Sequence, residues 1–87
     1  MNVQVEISAV AEEALNIDPR DNPGVTSEYL SRGKRVKITM PLHVARMLLQ
    51  DAESRAYESG WNQPQGWVMA CRAAAKRLRA AINKATR

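Results

Sequence analysis

The chain has no phenylalanine, a single histidine and a single cysteine. One His43 and one Cys71 cannot supply a zinc ligand set, so a metal centre of that kind is excluded and no metal or cofactor is expected. One cysteine also rules out an internal disulfide, which fits a reducing cytoplasm. Glycine is equally sparse. The four glycines are scattered, and none belongs to a phosphate-cradling loop. No apolar run is long enough to span a bilayer, and the start Met1-Asn2-Val3-Gln4-Val5-Glu6 lacks the basic and apolar regions of a secretory signal. Catalysis is not expected. Cys71 falls on an apolar helix face, where a buried, inert thiol is the common case. His43 is expected at the surface, and the acids Glu12, Glu13, Asp51 and Glu53 are most simply solvated.

With two Trp and two Tyr, the core has to come from Val, Ile, Leu, Met and many Ala, a composition suited to closely packed helices. Eighty-seven residues make one small domain, with 1–33 as an N-terminal strand and loop segment and 34–87 as a strand-helix-helix unit. A core of that size is small, and dimerisation is a common way to enlarge it. Acid is absent from the last third. Residues 1–58 carry a net charge of −2 and residues 59–87 a net charge of +6. That asymmetry favours an anionic partner, nucleic acid first. A solvated, charge-solubilised helix face explains it equally well.

Periodicity supplies the elements. Asn2–Ser8 alternates, with Val3, Val5 and Ile7 on one side, and predicts a strand. Ala9–Leu15 predicts a short helix capped by Ser8. Asn16–Gly24, with its Asp-Pro and Asn-Pro pairs, predicts a loop. Thr26–Arg32 predicts a turn or two of helix stopped by Gly33. The most informative run follows. In residues 34–40, Val36, Ile38 and Met40 alternate with Arg35, Lys37 and Thr39, which predicts a strand. Pro41 suits the first turn of the next helix, which should reach about Ser59, with Gly60 ending it. Its stripe is Leu42, Ala45, Leu48, Leu49, Ala52 and Ala56. Val44 and Met47 fall outside that stripe and imply burial on a second side. After the connector Trp61–Gly66, the Asn62/Gln65 spacing of a capping box places the last helix from near Gln63 almost to Arg87. Its inner face is Trp67, Cys71, Ala74, Ala75, Leu78, Ile82 and Ala85. Arg72, Lys76, Arg77, Arg79, Lys84 and Arg87 lie outside. The expected fold class is α+β.

Val36-Lys37-Ile38-Thr39-Met40-Pro41-Leu42, the helix from Val44 to Leu49, a turn at Gly60 and a basic second helix together resemble the ribbon-helix-helix family of the Met and Arc repressors. The resemblance covers about residues 35–85. It implies a homodimer whose paired strands enter the major groove of double-stranded DNA. Arg35, Lys37 and Thr39 would read base edges, and Val36, Ile38 and Met40 would cover the dimer core. It also implies a phosphate held at the start of the second helix by Gln65, Gly66 and Trp67, with Arg72 and Lys76 adding charge. The function expected on this basis is a sequence-specific transcriptional repressor. The chain departs from the family in a longer first helix, a long connector without Ser or Thr before the second helix, and a rival strand at Val3–Ile7.

A second function class fits the same features. A small non-enzymatic inhibitor or adaptor, of the phage accessory kind that blocks CRISPR complexes, would bind a host or phage protein complex. Tyr57, Trp61 and Trp67 would then be the anchors, since aromatics dominate binding hot spots. A membrane-surface role for the last helix is disfavoured, because its apolar face is mostly alanine.

Overall fold

A computed structural model describes residues 1–17, 24–57 and 65–87. The element order is β1 (Asn2–Ser8), α1 (Ala9–Leu15), β2 (Thr26–Leu30), β3 (Arg35–Pro41), α2 (Leu42–Tyr57) and α3 (Gln65–Ala85). The fold is α+β: an antiparallel sheet of order β1-β3-β2, with the helices on one face.

The period-2 segments become strands because alternate residues find a core. Val3, Val5 and Ile7 of β1 and Val36, Ile38 and Met40 of β3 are buried on the inner face. Ala45, Ala52 and Ala56 of α2 and Cys71, Ala74, Leu78 and Ile82 of α3 close over them. Alanine at the helix contacts lets α2 and α3 approach each other and the sheet closely, which compensates for the missing phenylalanine. α1 forms as its cap predicts: Ser8 Oγ accepts from the Ala11 N–H at 3.1 Å. It ends at Asn16, in the left-handed region at φ 51, whose N–H reaches the Glu12 and Glu13 carbonyls.

Thr26–Arg32 is not helical. Its first five residues are β2, and Ser31–Gly33 make one tight 3-10 turn with φ of 53, 59 and 85 in succession. The segment is too short to nucleate a helix by itself. It gains instead a full ladder on the second edge of β3, where Thr26, Glu28 and Leu30 oppose Thr39, Lys37 and Arg35. Gly24, at φ +90, starts the approach to β2. A Cβ there would lie 3.1 Å from Pro41 Cγ, so the backbone favours glycine and any side chain would press on the proline ring.

Pro41 closes β3 opposite Asn2 instead of opening the helix. Its missing N–H points towards β2, whose pairing with β3 starts only at Thr26–Thr39, so no ladder bond is lost. Val44 is buried as expected, but Met47 is 62% exposed. The stripe of α2 is otherwise as read, with Leu42, Leu48 and Leu49 partly buried against the core. The predicted helix end at Ser59–Gly60 and the capping box at Asn62 lie outside the described residues.

Candidate nucleic-acid interface

Strand 35–41 is the centre of the sheet. One edge pairs with β1, from Asn2–Pro41 to Ser8–Arg35, and the other with β2. Both edges are used within the chain. The pairing with a copy of itself, which the family resemblance implies for this strand, is therefore not the pairing found. Val36, Ile38 and Met40, each 0% exposed, cover the chain's own core rather than one shared by two subunits.

Arg35, Lys37 and Thr39 do share one face, the open outer face of the sheet, and all three are half-buried there. Their neighbours decide what they offer. Lys37 stands in register between Glu6 and Glu28. Opposite charges directly across an antiparallel pair attract, and an acid stands in register with this cation on each neighbouring strand. Thr39 sits between Gln4 and Thr26 and accepts from Gln4 Nε2 at 3.4 Å. Arg35 lies between Ser8 and Leu30, and its Nε is buried without a hydrogen bond. The sheet face is thus a mixed-charge surface.

The outer face of α3 differs. Arg72, Lys76, Arg77, Arg79 and Lys84, and Arg87 just past the helix end, are all exposed, among alanines and without one acid on the helix. The helix forms because Cys71, Ala74, Ala75, Leu78 and Ile82 recur at three- and four-residue spacing and bury its opposite side. Two cations on it have contacts that orient them to the body. Arg72 Nε donates to the Ala56 carbonyl at 3.3 Å, and Arg77 donates to the Glu6 carbonyl at 3.4 Å. Arg79 forms an ion pair with Glu53 of α2. The Arg77 contact follows from the ladder. Leu42 N–H to Met1 O and Ala9 N–H to Lys34 O fix the odd residues of β1 as those bonded to β3, so the Glu6 carbonyl faces the free edge. Arg77 covers that carbonyl with a charge, a usual protection for an exposed edge strand.

The proposed phosphate position at Gln65, Gly66 and Trp67 is the N-terminal turn of α3, with Gly66 exposed and Trp67 half-buried against the core. Lys76 lies nearly three turns further along. These residues are therefore not one cluster. Of the alternative anchors, Trp61 lies outside the described residues, Tyr57 is the last residue of α2, and Trp67 packs inward. His43 is exposed. Cys71 is buried, and burial pushes its thiol pKa up, away from reactivity. Among the described residues no three His, Cys, Asp or Glu side chains gather as metal ligands, and no helix is long and apolar enough to cross a membrane.

Reading the sequence missed Glu6 and Glu28 beside Lys37, and Glu53 beside Arg79. Only the strand register could have revealed the first pair. Glu6 comes by the pairing with β1 and Glu28 by the pairing with β2, a segment with no strong period of its own. Compared with models of protein families, with curated proteins and with solved structures, the chain has no significant match.

Proposed function

We propose that this is a non-enzymatic protein that binds double-stranded DNA by its phosphate backbone, through the outer face of α3. The observation that carries this is the set of five exposed Lys and Arg on a helix without an acid, with Arg87 just past its end. Twenty-one residues of helix extend about 30 Å, enough to meet several phosphates of a duplex. Arg72, Lys76 and Arg79 stand on one side of the helix and Arg77 and Lys84 on the other. Lys and Arg in such an array release condensed counterions on binding, which drives association.

The helices cover the inner face of the sheet, so the Lys76 side of α3 and the outer face of the sheet point apart, while Arg77 and Lys84 border the β1 edge beside Gln4 and Glu6. A rigid docking centred on the Lys76 side therefore leaves the sheet face out. Charge selects α3, because Glu6 and Glu28 flank Lys37 and would face the phosphates if the sheet entered a groove. This reading keeps the duplex expected of a repressor and moves the contact from Arg35, Lys37 and Thr39 to the helix. Affinity for a 20-base-pair duplex, measured by fluorescence anisotropy over a salt series, should fall with a log–log slope of roughly −4, as four or five phosphate contacts demand. No binding at about 0.05 M salt would refute the proposal.

One observation favours a protein partner instead. Exposed Met47 borders an apolar hollow of about 330 Å³ that Leu15, Ile17, Val25, Val44 and Leu48 also line. A hollow of this kind can take an apolar anchor from another protein.

A further inference from the structure

α2 and α3 do not close completely along their outer side. Between them runs a groove of about 340 Å³ lined by Glu53, Arg72, Ala73, Ala75, Lys76 and Arg79. Its charged groups are three cations and one acid. The cations come from one side of α3, at positions 72, 76 and 79, which the helical repeat stacks along a single line. Alanine at 73 and 75 leaves the space beside them open. Arg72 is steadied by its Nε bond to the Ala56 carbonyl. Arg79 is held across the groove by Glu53.

We infer that this groove is a seat for a DNA backbone phosphate and that Glu53 occupies it in the free protein, as an internal competitor for Arg79. The inference rests on the duplex-binding reading above and deepens it. A guanidinium presents the same fork of N–H donors to a carboxylate and to a phosphate, so the two anions compete for one geometry. The Arg79 side chain is 64% exposed and that of Glu53 35%, so the pair is an open surface contact that an entering phosphate can displace. Such pairs are weakly held. The phosphate also gains Lys76 in the same groove. Once displaced, the Glu53 carboxylate turns to water. The pair thus sets the affinity of the helix below what its charge alone would give, and favours a duplex, which brings several phosphates at once, over a free anion.

The test is anisotropy titration of the full chain with a 20-base-pair duplex at about 0.1 M salt, with thermal melts to confirm that each variant is folded. Glu53→Gln should tighten binding about three- to tenfold and steepen the salt slope by about one contact. Glu28→Gln removes the same charge from the sheet and should change affinity less than twofold. In an Arg79→Gln background the gain from Glu53→Gln should vanish. Inorganic phosphate at matched ionic strength should not displace the duplex. An equal gain from Glu28→Gln would overturn the inference, because net charge would then explain it. A gain that persists without Arg79 would overturn it too, as would displacement by free phosphate. If the wild type binds the duplex but Glu53 has no effect, this inference fails alone. If the wild type does not bind at all, the duplex reading fails with it.

Discussion

The sheet's outer face and the outer face of α3 carry the same kinds of cation and differ in what stands beside them. Lys37 has an acid on each neighbouring strand, Glu6 and Glu28. Lys76 has alanines beside it on a helix without acids, and the acid that shares its groove, Glu53 of α2, pairs with Arg79. The first arrangement sets opposite charges in register across strands. The second leaves charge available to a partner. A cation counted from sequence therefore says little until its cross-strand or cross-helix neighbours are known.

The strongest way to break this comparison is to neutralise α3. Lys76→Ala, Lys84→Ala and Arg87→Ala together should weaken duplex binding more than about 100-fold at 0.1 M salt, on roughly one decade per lost phosphate contact. Arg77 is left in place because it covers the Glu6 carbonyl at the free edge of β1. A loss of less than tenfold in anisotropy would shift the binding surface away from the helix. A second variant probes the strand that supplies Glu28. Gly24→Ala forces a side chain at φ +90 against Pro41 and should cost about 1–3 kcal/mol in denaturant unfolding. An unchanged midpoint would mean that the approach to β2 adjusts freely. The smallest effect is expected at the sheet itself. Lys37→Ala should cost only about 0.2–1 kcal/mol of stability, the value of cross-strand pairs, and should change duplex affinity less than twofold. A loss there as large as on α3 would return base reading to the strand.

Much of the fold was legible because burial leaves a period in the sequence. Val3, Val5 and Ile7, and Val36, Ile38 and Met40, alternate because each strand has one covered face. α3 could be followed by the spacing of Cys71, Ala74, Leu78 and Ile82. Ser8 marked the start of α1 by capping chemistry that acts within three residues. β2 escaped because it has no covered face: Thr26, Ser27, Glu28 and Tyr29 are all exposed, so no alternation records their strand state. Tyr29 shows the same limit. Its phenol donates to Glu12 at 2.7 Å, and that carboxylate raises its pKa, yet the two residues lie far apart in the chain. Met47, expected to be buried, instead borders the hollow formed with Leu15, Ile17 and Val25. For the candidate site, the cations of α3 were visible from the outset, whereas Glu53 looked like any solvated helix acid.

Hydrophobic period and local charge, properties of neighbouring residues, were enough to give a strand at residues 34–40, a switch to helix at Pro41 and a basic, acid-free last helix; the structure moves Pro41 into the strand. Tertiary structure alone decided what the two edges of that strand pair with. Backbone N–H and C=O groups are the same at every residue, so a strand cannot encode its partner locally. β1 and β2 occupy those edges, and with them come Glu6 and Glu28, which stand in register with Lys37.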